Sequence, residues 1–169
     1  MTIHLQLGQN PPELAVCWYL GKMLATEHYL GVFLKKYLNQ AIAIKEAEIT
    51  REKSYGNKRI DLCTYLTDTQ NNKFGLVIEA KTHWPDETQL QTSVERFRSA
   101  HEDFKEVFGL HFLSTLEASQ HVALANQEWK FPIVTIKDLL KSFCESGIET
   151  GHSLHWASNL QQLLNYQHS

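Results

Sequence analysis

The chain has few of the residues that mark a disulfide-stapled protein, and it lacks the runs that mark a membrane protein. Its 169 residues include three cysteines, Cys17, Cys63 and Cys144, odd in number and far apart. That excludes a disulfide framework and paired zinc spacings, and it fits buried thiols in a reducing cytoplasm. No uncharged apolar run approaches the roughly 18 residues of a membrane helix, and "MTIHLQLGQNPP" lacks a basic stretch followed by an apolar block. The expectation is a soluble cytoplasmic protein with no membrane partner. Positive charge is not in excess: 16 Lys and Arg stand against 19 Asp and Glu, a net charge of -3. A chain coated in basic residues is excluded, whereas a local basic patch is not. A Gly-rich phosphate loop and a Gly-x-Ser-x-Gly elbow are both missing, which argues against P-loop nucleotide hydrolysis and serine esterase chemistry. Without internal repeats, low-complexity tracts or long linkers, residues 1–169 read as a single domain.

What is present is an ordinary globular composition, 43% hydrophobic and 21% charged, with clear periodicities. "ELAVCWYLGKML" and "YLGVFLKKYLNQ" carry helical apolar stripes, with a break expected around residues 25–28. Strands are expected over about 46–55, 59–67 and 74–82, the last two joined as an antiparallel hairpin by "DTQNN". After Pro85, with Asp86 as cap, a helix is expected to carry Leu90, Val94 and Phe97 inward, then Phe104, Val107 and Phe108, and to end at Gly109. "LHFLST" and "KFPIVTI" read as strands, "IKDLLKSFCE" and "SLHWASNLQQLLNY" as closing helices. The expected order is ααβββαββαα: an α/β fold with a mixed β-sheet flanked by helices.

Two of these strands hold charge where apolar residues are expected. Glu79 and Lys81 are two apart on one strand and so project from the same face. Asp61 lies near the start of the preceding antiparallel strand, opposite the end of the next, so the three groups converge. Two carboxylates near a lysine, with the Ala80 carbonyl between, offer hard oxygen ligands of the kind magnesium takes, while Lys81 would position water or stabilise charge on phosphate. The same spacing also suits an edge ion pair of about 0–1 kcal/mol, and spacing alone leaves both open.

The pattern of Asp61, a hairpin, then Glu79-Ala80-Lys81 after "GLVI" resembles the active-site signature of the PD-(D/E)XK nuclease superfamily. "ITREKSYGNKRIDLCTYL", "FGLVIEAKTH" and "DETQLQTSVERF" resemble three successive blocks of a stand-alone bacterial branch. The helices "AVCWYLGKMLATEHYLGVFLKKYL", with His28 and Gly31 at their turn, resemble that branch's opening. The likeness runs from about residue 13 to 116. It implies a restriction-endonuclease-like core and a nuclease, dependent on Mg2+ or Mn2+, that hydrolyses phosphodiester bonds in DNA. Asp61, Glu79 and Lys81 would be catalytic, with Asp61, Glu79 and the Ala80 carbonyl as metal ligands. Gln89 would point at the same site from its helix, and Glu52 or Glu13, ahead of Glu27, would supply the further acidic residue found in many members. Ile60 stands where the signature has proline. The alternative is a non-catalytic nucleic-acid-binding or regulatory protein that keeps the fold. So short a chain leaves recognition to loops, to a homodimer or to a protein partner.

Weaker features remain. His152 and His155 share a helical face without an acidic or cysteine partner and read as surface or half-buried histidines. Tyr29, Phe33 and Tyr37 read as core packing or as a stacking surface for bases. Lys35 and Lys36, Arg51 with Lys53 and Lys58, and Arg96 with Arg98 are basic groups suited to phosphate or to a solvated face.

Overall fold

The computed structural model describes residues 2–6, 15–26, 28–82, 84–114, 124 and 127–146. Their element order is β1 (Thr2–Gln6), α1 (Ala15–Leu24), α2 (Tyr29–Leu38), β2 (Ile44–Tyr55), β3 (Lys58–Asp68), β4 (Lys73–Lys81), α3 (Glu87–Ala100), β5 (Glu106–Leu113), β6 (Ile133–Thr135) and α4 (Ile136–Glu145). Among the described residues the strands form one six-stranded sheet in sequence order. β2, β3 and β4 are antiparallel, and β1, β5 and β6 join in parallel. The architecture is the expected mixed α/β sheet flanked by helices. No helix of the described residues is long and apolar enough to cross a membrane.

Local chemistry accounts for the turns. β2 returns into β3 between paired Tyr55 and Lys58, with Gly56 at φ 64°, a left-handed conformation that glycine adopts without a Cβ penalty. In the β3–β4 turn the Asp68 carboxylate accepts the N–H groups of Gln70 and Asn72, each at 2.8 Å. That side chain substitutes for a backbone partner and fixes the hairpin register. α1 and α2 break where the pattern weakens, with His28 at φ 67° just before α2.

The sheet separates two cores. On one side α1, α2 and α4 cover a large cluster that includes Leu20, Tyr29, Phe33, Leu62, Ile78, Phe112 and Phe143. On the other, α3 covers a smaller one of Ile60, Cys63, Val77, Leu90, Val94, Phe97 and Val107.

Three sequence expectations need correction. The helix after Pro85 stops at Ala100, and "EVFGLHFL" is strand β5. Gly109 therefore lies inside a strand, where a Cβ would come within 2.7 Å of Phe131 and 2.9 Å of Val94. A run buried on both faces and apolar but for His111 is typical of a parallel interior strand, and sheet pairing overrides its helical spacing. "TIHLQ" is a strand that the sequence reading omitted. The core reading of the Tyr29 and Phe33 ladder holds: both are fully buried, and Tyr29 packs edge-on against Phe143. Arg51 is buried rather than on a solvated face. The expected helix "SLHWASNLQQLLNY", with His152 and His155, lies outside the described residues.

Candidate active site

Leu62 pairs with Ile78, and that register sets Asp61 beside Glu79 on adjacent strands. Cys63 and Val77 pack toward α3 while Leu62 and Ile78 pack the other way. Alternation from Val77 then sends Glu79 and Lys81 to the α3 face; on β3, Ile60 and Cys63 both pack toward α3, so strict alternation breaks between them and Asp61 is placed by its hydrogen bond to β4. The Asp61 carboxylate accepts the Ala80 N–H at 2.9 Å. Ala80's N–H therefore points at β3, and its carbonyl shares that direction, because one strand residue presents both groups to the same neighbour. The next carbonyl, that of Lys81, turns to the β5 side and accepts the Ser114 N–H at 3.0 Å.

Glu79 is 1% exposed. Burying a carboxylate is costly unless it is hydrogen-bonded, and α3 supplies the donors. Ser93 Oγ donates to Glu79 Oε1 at 2.5 Å and Gln89 Nε2 to Oε2 at 3.2 Å. Asp86 caps the helix by accepting the Gln89 N–H at 2.9 Å, which fixes where the helix begins. Gln89 and Ser93 then fall one turn apart, beside the inward Leu90, Val94 and Phe97.

The charges here act on the neighbouring Cys63 thiol. Burial pushes the Cys63 thiol above its ordinary value, and the negative charge of Glu79 pushes it further, with a smaller push from Asp61 against the pull of Lys53. Cys63 is therefore an inert thiol rather than a nucleophile.

Two carboxylates and a carbonyl are hard, oxygen-only donors. Among the described residues no three His, Cys, Asp or Glu side chains gather as a metal cage. So sparse a set does not match the tetrahedral nitrogen and sulfur cages of structural zinc. It does match magnesium, which is bound by one or two carboxylates and keeps several waters.

Of the auxiliary residues, Gln89 reaches Glu79 as described. Glu52 lies on β2 between Arg51, which pairs with Leu62, and Lys53, which pairs with Ile60, so its backbone runs beside Asp61; its side chain, like the whole of Glu13 and Glu27, lies outside the described set. The basic groups of α3 have structural partners: Arg96 Nη1 donates to the Asn57 side chain at 2.9 Å and the Tyr55 carbonyl at 3.3 Å, closing the β2–β3 turn onto the helix.

Sequence reasoning passed over Ser93, Glu87 and His111. Ser93 could have been found as the one polar group at helical spacing between Gln89 and Phe97 on an inward face. His111 sits opposite Glu79 in the β4–β5 register and is 1% exposed. Its Nε2 lies 3.3 Å from Glu87 Oε1. Burial holds the imidazole below its ordinary value against the opposing pull of Glu87, so the contact is a hydrogen bond from neutral histidine rather than an ion pair. Glu87 also accepts the backbone N–H groups of Lys130 at 3.2 Å and Phe131 at 3.3 Å.

The chain matches no protein-family model and no curated protein sequence. Among solved structures it is similar to a repair endonuclease from Pyrococcus abyssi, with TM-score 0.38 and 14% identity, covering 76% of this chain and 49% of that one. It is also similar to the MspJI restriction endonuclease in complex with a 27-mer oligonucleotide, with TM-score 0.40 and 12% identity, covering 89% of this chain and 31% of that one. The chain thus spans less than half the length of either endonuclease.

Proposed function

We propose that this chain is a divalent-metal-dependent nuclease that hydrolyses phosphodiester bonds, with DNA as its substrate. One observation carries the reading: a carboxylate only 1% exposed, Glu79, is held by two side chains of α3 next to Asp61, whose own carboxylate is fixed on the Ala80 N–H. An ordinary edge ion pair needs neither the burial nor the supporting donors. The sequence blocks around Asp61, Glu79 and Lys81 support the same reading through their resemblance to PD-(D/E)XK nucleases.

In this proposal Asp61, Glu79 and the Ala80 carbonyl hold Mg2+ or Mn2+. The bound ion supplies an acidified water and neutralises charge on the phosphate. Ser93 and Gln89 fix the plane of the Glu79 carboxylate. Lys81, on the same face of β4, presents a positive charge to a non-bridging phosphate oxygen and orients the attacking water.

The test is cleavage of duplex, single-stranded and branched DNA and of RNA, with Mg2+ or Mn2+ and with EDTA. Metal-stimulated cleavage that is lost in Lys81→Ala, with circular dichroism and thermal unfolding retained, is the expected result. Nucleic-acid binding without cleavage of any substrate would replace this reading with a non-cleaving binding protein.

A further inference from the structure

Trp84 and Val32 are the exposed large apolar side chains among the described residues, and Trp84 is 43% exposed. It follows Lys81 by three residues, so its Cα lies within about 10–11 Å of that of Lys81. Leaving an indole in water forfeits much of its burial energy, yet this one is held in place. It meets Trp129 at 5.8 Å between ring centroids and 66° between planes. Trp129 is itself anchored, with Nε1 donating to the Leu124 carbonyl at 3.0 Å and its ring against His111 at 6.0 Å. The backbone just beyond it is tied to Glu87 through the N–H groups of Lys130 and Phe131. Because the two indoles meet at a steep angle instead of stacking, Trp129 covers at most one face of Trp84. An anchored, half-exposed aromatic ring therefore stands beside the strand end that carries the candidate site.

From this arrangement we infer that Trp84 is a stacking platform for an unpaired nucleobase, and that the substrate class is nucleic acid with single-stranded or extruded bases next to the cleaved phosphate. The inference rests on the nuclease reading for the identity of the polymer. Inside a duplex each base face is covered by its neighbours, so only an unpaired base offers a face to an indole. The reach from Lys81 corresponds to about three base steps at 3.4 Å rise, close enough for one strand to contact both.

The experiment measures binding of a labelled single-stranded oligonucleotide and of the duplex of the same sequence, in EDTA so that binding is read apart from cleavage, to the full chain and to Trp84→Phe and Trp84→Ala. Base–aromatic stacking is worth about 1–3 kcal/mol per base. Trp84→Ala is expected to weaken single-strand binding about 5- to 150-fold, to leave duplex binding within about twofold, and to be largely rescued in Trp84→Phe. Unfolding curves of the three proteins separate this from loss of fold. Equal single-strand binding by the full chain and Trp84→Ala overturns the inference even where cleavage is observed, and points to a protein partner for the exposed ring. A selective loss of single-strand binding in a protein that cuts nothing upholds the inference while the nuclease reading fails. Absence of nucleic-acid binding by the full chain overturns it outright.

Discussion

The two faces of the sheet are built from different materials. Among the described residues, the cluster of buried apolar side chains under α1, α2 and α4 numbers 22, against seven under α3. The larger face buries small hydroxyls, Thr64 at 0% and Ser142 at 3% exposed, whereas the α3 face encloses a carboxylate and an imidazole, Glu79 and His111, with Ser93, all at most 1% exposed. The α3 face also carries a polar aromatic group in which Tyr55 hydrogen-bonds to Tyr65 and, at 3.0 Å, to His101 Nε2. The larger face can secure the fold by area alone, at roughly 25 cal/mol per Å2 of apolar surface. That leaves the smaller face free to hold groups whose burial opposes folding.

The contrast can be broken from either side. Phe33→Ala removes a fully buried ring from the larger face and is expected to cost about 3–5 kcal/mol of stability by urea unfolding. Cleavage by the fraction still folded should persist. Asp61→Asn acts in the opposite sense. It keeps an acceptor for the Ala80 N–H and so should preserve stability, while cleavage falls by about 10²–10³-fold, read from single-turnover rates in Mn2+. Ser93→Ala is expected to affect both properties. Losing a 2.5 Å bond to a buried carboxylate should lower stability by about 1.5–3 kcal/mol at neutral pH and slow cleavage as Glu79 loses its support.

The smallest effect is one of pH. His101 is held below its ordinary value, first by burial, then by Lys53 and Lys73, against the pull of Asp103. Tyr55 and Tyr65, which pack on its ring, are raised by burial, Tyr65 to about 12, so both stay neutral over the range concerned. Below about pH 6.5 the unfolded chain takes up a proton that folded His101 does not. The unfolded state then binds more protons, so stability rises with pH through that window and is fully present above it. Urea titrations of His101→Gln should show a flatter pH dependence between the folded value and about 6.5.

The hairpin and its charges were legible because everything they depend on is local. Period-two alternation from Leu62 to Leu66 and the Asp68 turn fix a register that sets Asp61 beside Glu79. β1 was not legible, since its partner β2 is some forty residues away and nothing local demands a strand at "TIHLQ". The stop of α3 at Ala100 was misread for a related reason: Phe104, Val107 and Phe108 continue a helical spacing, and only pairing with β4 turns them into strand. Ser93 and His111 gain their meaning from α3 and β5 each settling against β4, an event that no short window of sequence contains.

Glu87 has a mechanical consequence. The helix that it opens clamps Glu79 two and six residues later through Gln89 and Ser93, while Glu87 itself grips the segment that follows Trp129. A slide of α3 along its own axis would therefore move the carboxylate and the aromatic platform together. Fitting a strand against Trp84 and setting Glu79 would then be two readings of a single displacement, with α3 as the lever between them.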